Sequence, residues 1–251
     1  MLWDMFTENA KQVIFDAPMP SSTQGSAQTV VAYSRGSGHL VNVALLTTGG
    51  AATIIDNKLA QFKAINASSV ASALNVFVDG SLTLANIPYT GFSNYVAQIA
   101  GKRTMTVEAS ATPGATLLTT SPTLTAATDT SIALYGSAGA LGALVLADAN
   151  VSTLTATAQV RFVNVSPDLP SLDVYANQAL TTSGLVQNSA SGYALLAAVA
   201  DGTSYQFDFD PAGTTTPVLT LPAVSLIAGA VYTIYVMGPA TALRGVVVQD
   251  F

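Results

Sequence analysis

Ala158-Gln159-Val160-Arg161-Phe162-Val163-Asn164-Val165-Ser166 decides the fold, because the chain carries the same sentence earlier, as Ala60-Gln61-Phe62-Lys63-Ala64-Ile65-Asn66-Ala67-Ser68. The two stretches lie 98 residues apart. Leu74-Asn75-Val76-Phe77-Val78 then matches Leu172-Asp173-Val174-Tyr175-Ala176 at the same offset, and residues 141–148 match 243–250 at an offset of 102. A drift of four residues is what loop insertions produce. Periodicity throughout is of the two-residue kind, as in Thr104-Met105-Thr106-Val107-Glu108 and Tyr205-Gln206-Phe207-Asp208-Phe209. Gly, Pro, Asn or Asp punctuates each run within a few residues, which is the signature of short strands.

Two copies of about 95 residues, each with roughly seven strands and a turn signal every 8–12 residues, predict an all-β chain. The expectation is two immunoglobulin-like antiparallel β-sandwiches in tandem, at 59–150 and 158–251, after an N-terminal strand-containing extension at 1–58. Residues 149–157, rich in Thr, Ser and Ala, form the natural linker. Helix candidates are few: 4–13 can make a short one, and 66–73 reads as a loop with a turn. Residues 193–199 have helix-forming composition, but their place in the repeat predicts a strand.

Composition narrows the chemistry. Of 251 residues, 9% are charged, against about 25% in an average soluble domain, and 30 Thr and 22 Ser take their place. With no Cys and one His, thiol chemistry, disulfides, Cys-type zinc sites and His-pair metal sites are excluded. A net charge of −6 argues against nucleic acid as a partner, which calls for a basic footprint. The start, Met1-Leu2-Trp3-Asp4-Met5, shows no signal-peptide pattern, and no apolar run reaches the spanning length of about 18 residues. The nearest, 227–243, is broken by Gly229, Thr233, Gly238, Pro239 and Thr241.

The run from Val160 to Tyr175, with Ser166-Pro167-Asp168 and Leu172-Asp173-Val174-Tyr175, carries a family resemblance. So do Ala200-Asp201-Gly202-Thr203-Ser204-Tyr205, the stretch 210–219 and the stretch 228–233. The chain resembles, over about 60–251, the tandem bacterial domains known only as a domain of unknown function. The first copy is more degenerate, with Ala67-Ser68-Ser69-Val70 in place of the Ser-Pro-Asp turn and Asn75 in place of Asp173. The resemblance implies an immunoglobulin- or transthyretin-like sandwich in a secreted or surface setting, and it supplies no catalytic residues.

Residues 1–58 lie outside both copies. The pair 30–33 and 40–46 looks like the last hairpin of each repeat, 132–135 with 143–147. A lone hairpin is marginal in water, so this segment packs on its own first sandwich or pairs with the sheet edge of a neighbouring chain. Repeated head to tail, the second arrangement gives a filament. The candidate assembly residues are Trp3, Val13, Ile14, Phe15, Val30, Val31 and Tyr33, Trp3 being the docking anchor.

Other candidates carry less. His39 sits at a Gly-rich turn, and without a Gly-x-Ser-x-Gly elbow no triad forms around it. Asp208 and Asp210 point to one sheet face and, with Asp201 or Asp168, offer oxygen ligands for calcium; an ordinary half-exposed strand looks the same. Asn66, Asn150 and Asn164 fit the glycosylation triplet, whereas amides satisfying backbone groups at a turn explain Asn66 and Asn164 more simply. Tyr89, Phe92 and Tyr95 fall close together after Pro88 as a candidate carbohydrate platform, but their place in the repeat favours core packing for at least two of them. The sequence therefore predicts a non-enzymatic extracellular structural protein of the bacterial cell surface with no catalytic residues, cofactor or metal. Its partner is itself, in a homopolymer joined by strand addition. The alternative is a monomeric adhesion or carbohydrate-binding module with surface glycans as partners.

Overall fold

The computed structural model describes residues 2–6, 13–18, 20, 27–34, 40–49, 52–149 and 154–250. The all-β expectation holds: apart from one short 3₁₀ turn at Ala240–Ala242, every described element is a strand.

Residues from Leu59 to Asp148 form two four-stranded sheets. One has the spatial order Val96–Ile99, Leu59–Asn66, Asp129–Ser137, Ala140–Asp148, and the other Ser81–Pro88, Ala73–Val78, Met105–Ala109, Thr116–Thr120. The same order recurs from Thr157 to Gln249. There Ala194–Ala197, Thr157–Asn164, Val231–Met237 and Arg244–Gln249 make one sheet. Ala179–Val186, Ser171–Ala176, Thr203–Pro211 and Leu219–Leu226 make the other. In each first sheet the two central strands run parallel, Ile132 beside Ala64 and Ile234 beside Phe162. A constant-type immunoglobulin sandwich has seven antiparallel strands. Here each sandwich carries a parallel central pair, and in the second the short strand Ser189–Ala190 adds a fifth member beside Thr157–Asn164.

Local chemistry explains the hairpins. Asp79 and Gly80 both take positive φ, at 48° and 81°, giving the two-residue turn whose twist matches its flanking strands. Asn177 and Gln178 make the equivalent turn at φ 47° and 69°. Between the sheets of the first sandwich lie Phe62, Leu74, Val76, Met105, Val107, Ile132 and Leu134. In the second, Phe162 meets Phe207 and Phe209 edge-on, with ring centroids 5.5 and 6.1 Å apart, a favoured aromatic geometry.

Leu59–Asn66 and Val231–Met237 are buried at every position. Alternation exposes one face of a half-covered strand, so full burial requires cover on both faces. Each parallel-paired sheet is covered on one side by its own second sheet and on the other by its counterpart. Ile65, Ala133 and Leu146 meet Val163, Tyr235, Met237 and Val248 there in a third apolar core. These two mutually covering sheets are called the inner sheets below.

The N-terminal residues build a separate small unit. Gln28–Ser34, Val41–Thr47 and Ala52–Ile55 form a three-stranded antiparallel sheet, and Leu2–Phe6 pairs with Val13–Pro18. The helix expected over 4–13 is corrected where the chain is described, since Trp3 pairs with Ala17 and Met5 with Phe15 in a strand ladder; residues 7–12 lie outside the described residues. An isolated helix that short is marginal in water, whereas the ladder satisfies the backbone at once. Residues 194–197 do form the strand expected of them.

Candidate functional site

The inner-sheet interface holds the molecule's most unusual chemistry. Lys63 and Arg161 sit at equivalent places on the first strands of the two sandwiches, and their side chains leave their own sheets for the other sandwich. Lys63 Nζ donates to Asp250 Oδ1. Arg161 donates to Asp148 Oδ1 at 2.6 Å and to the Ala147 carbonyl at 2.7 Å. All four charged side chains are at most 4% exposed. The interface therefore buries four of the few charged side chains that the sequence has.

Neighbouring groups support the pairs from within each sandwich. Ser131 donates to Asp148 Oδ2 at 2.7 Å, and Thr233, its equivalent 102 residues on, donates to Asp250 Oδ2. Tyr95 also donates to Asp148 Oδ2, at 2.7 Å. Lys63 Nζ lies 4.6 Å from the Tyr95 ring centroid, and Arg161 Cζ lies 4.9 Å from that of Tyr193, 98 residues further along. Both are cation–π distances. Burial pushes the Tyr193 hydroxyl up to about 12 against the pull of Arg161. Burial also raises the Asp250 carboxyl, opposed by Lys63. Burial works against the Arg161 charge, but Asp148 and the surrounding tyrosines more than offset it, and its pKa is raised.

The Asn-x-Ser stretches support the turns behind this interface. Asn66 Nδ2 donates to the Ile87 carbonyl, its Oδ1 accepts from Ser68 N, and Ser68 Oγ donates to the Gly136 carbonyl. Asn164 and Ser166 do the same for Leu169 and Gly238. Both asparagines are fully buried, so their amides serve as turn supports and offer no acceptor for a glycan. Asn150 and His39 lie outside the described residues.

The expected carbohydrate platform does not converge. Tyr95 is held in the ionic cluster, and the Tyr89 hydroxyl lies where a Cβ on Gly238 would be 2.9 Å away, against the second sandwich. Of the three aromatics only Phe92 is exposed. Among the described residues no group of three or more His, Cys, Asp or Glu is placed to hold a metal. Asp208 and Asp210 do share a face, alongside Tyr175, but Asp168 is engaged elsewhere by the Ala240 amide.

The assembly candidates divide. Phe15 is buried against Ala17 and Val43 of its own chain, with Val30 packed beside them, while Val13 and Ile14 are half-buried. Val31 and Tyr33 are exposed on the other face of their strand, 38% and 41% accessible, next to Leu46 and Ile54. Trp3 lies in the Leu2–Phe6 strand. Sequence reasoning missed Asn57, which ties this unit to the first sandwich. Its Oδ1 accepts from Asp16 N and Leu59 N, and its Nδ2 donates to the Ile14 and Val41 carbonyls. An asparagine in an Asp-Asn pair before a strand reads as a turn, so no sequence signal pointed to it. The ion pairs did leave a signal, since the internal alignment superposes Lys63 on Arg161 and Asp148 on Asp250.

Strand order and site together define a chain of paired β-sandwiches welded through their inner sheets. Residues 60–174 and 158–251 match the family described as "Domain of unknown function (DUF4397)", and the chain belongs to that family. No curated protein matches the chain. A solved structure of a "putative cell adhesion protein" from Bacteroides fragilis is 11% identical and covers 98% of this chain and 89% of that chain, with a TM-score of 0.21.

Proposed function

We propose that the chain is a non-enzymatic structural subunit of the bacterial cell surface, with sandwich domains at 59–150 and 158–251, that joins copies of itself by strand addition to its N-terminal unit. One observation carries this reading: among the described residues Gln28–Ser34 is an edge strand, whereas its counterparts in both sandwiches are not. The registers make the equivalence. Val31 pairs with Ala44 and Thr29 with Leu46, as Ala133 pairs with Leu144 and Ser131 with Leu146, and as Tyr235 pairs with Val246 and Thr233 with Val248. Asp129–Ser137 and Val231–Met237 each carry a parallel strand on their other side. Among the described residues, Gln28–Ser34 carries none.

An unpaired edge is a template for another strand. Beside it, Val31, Tyr33, Leu46 and Ile54 form an exposed apolar face. Val31, Tyr33 and Leu46 hold the positions that, as Ala133, Tyr135 and Leu146, belong to the core between the sandwiches. A heterologous contact at this edge propagates instead of closing. Sedimentation and negative-stain microscopy of the full chain test the reading. Concentration-dependent polymers are expected, lost in the Val31→Lys/Tyr33→Lys variant at unchanged Tm. A chain that stays monomeric at every concentration overturns it. Binding on a glycan array that disappears with Phe92→Ala, by a monomeric chain, would establish the adhesion or carbohydrate-binding module instead.

A further inference from the structure

The outer sheet of the second sandwich carries a pocket that neither the interface nor the N-terminal edge uses. Register sets Asp173 opposite Asp210 and Tyr175 opposite Asp208 on adjacent strands. Tyr175, Gln178, Asp208, Asp210, Thr215 and Pro217 line a space of ≈ 210 Å³. Asp210 is only 4% exposed, yet its buried Oδ1 has no hydrogen-bond partner. Its neighbours cannot help. Asp173 is already clamped by the amides of Gly184 at 2.7 Å and Gly213 at 2.9 Å. Asp208 accepts from Thr220 at 2.6 Å and Gln206 at 2.8 Å and adds a second negative charge. Burial, then Asp208 and Asp173, push the Asp210 carboxyl up. The lining contains no lysine or arginine.

The first sandwich supplies an internal control. Glu108 stands opposite Asn75 as Asp210 stands opposite Asp173. Glu108 is satisfied by the Gly114 amide at 2.8 Å, and Thr106, a neutral residue, faces Phe77 where Asp208 faces Tyr175. The orphaned oxygen and the paired charge belong to the second sandwich alone. A buried carboxylate without a partner is costly, and a cation that donates to Asp210 would offset that cost and the repulsion from Asp208. Calcium wants six to eight oxygen ligands, more than the free carboxylate of Asp210 and the two engaged ones beside it supply. The Tyr175 ring and Pro217 instead offer apolar walls for an alkyl chain, an aromatic face suits a cation, and an ammonium has three donors for the acceptors at the floor.

We infer that this pocket binds a primary ammonium group carried on a short aliphatic or sugar framework. A lysine side chain and an amino sugar share that chemistry. The test titrates the full chain with Nα-acetyl-lysine methylamide, with its Nε-acetylated counterpart, with glucosamine and with CaCl₂, reading NMR shifts at Tyr175, Asp208 and Asp210. Saturable shifts with an ammonium-bearing probe and none with the acetylated one are expected. Response to the lysine probe or to glucosamine names the source. Asp210→Asn and, separately, Asp208→Asn should each weaken binding roughly tenfold, the size of one lost charge-assisted hydrogen bond, at an unchanged melting curve. The inference is overturned if the acetylated probe shifts the site equally, if no probe shifts it, or if calcium alone saturates it.

Discussion

Lys63 and Arg161 stand at matching places in the two sandwiches, and each closes its ion pair on the other sandwich's aspartate, Lys63 on Asp250 and Arg161 on Asp148. The exchange is that of a two-fold axis inside one chain. Neither aspartate finds its cation within its own sandwich, so the interface is a condition for satisfying all four charges. A desolvated pair seldom stabilises much in itself. It does select, because any other face offered to either inner sheet leaves charges bare.

Breaking one pair should therefore be worse than removing it. Arg161→Met, which strands Asp148, is expected to cost about 3–5 kcal/mol in urea unfolding. The double replacement Arg161→Met/Asp148→Leu should recover most of that loss. A double variant no better than the single one would show that the pair itself supplies the stability.

Asn57 is the joint between the N-terminal unit and the first sandwich. Asn57→Ala leaves buried backbone groups of Ile14, Asp16, Val41 and Leu59 without a partner. A local loss of about 2 kcal/mol is expected. Hydrogen exchange should quicken in Val13–Pro18 and Val41–Thr47 and stay unchanged in Val231–Met237. Uniform quickening would contradict the local role.

The amides of Gly213 and Gly184 hold the Asp173 carboxyl below the usual carboxylate range. An acid whose pKa is lower in the folded state binds fewer protons there than in the unfolded chain. Its stabilisation is complete above the unfolded value and is lost as pH falls through the folded one. Asp173→Asn, the residue type that the first sandwich has as Asn75, should remove that part of the acid-side decline in Tm. An unaltered acid limb would refute it.

Asn66→Ala and Asn164→Ala should each cost roughly 2 kcal/mol, since each removes a buried side chain that both donates and accepts. Their burial also predicts that chain folded in a glycosylating host carries no glycan at either position, which intact-mass measurement reads directly.

Much of this was legible in the residues. The two-residue periodicity announced an all-β chain, and the runs 74–78 and 172–176 that match at the 98-residue offset are both strands. The weld was not legible, because alternation reports only that one face is covered. Ala64 and Ile65 are both buried, Ala64 in the core of its own sandwich and Ile65 in the core shared with the other, and nothing in the local pattern tells the two kinds of cover apart. Tyr95 misled for a related reason: an aromatic near a loop reads the same whether it faces water or a lysine. Over 4–13 composition allowed a helix, and at 4–6 only pairing with Val13–Pro18 decided otherwise.

The swapped ion pairs also bear on synthesis. Lys63 and Asp250 are 187 residues apart in the chain, roughly ten to forty seconds of translation. Over that interval Lys63 has Tyr95 beside it but not Asp250, and Asp148 has Tyr95 and Ser131 but not Arg161 from a folded second sandwich. When Arg244–Gln249 docks, the same groups become its latch. The lock between the sandwiches thus closes only once both of them are made.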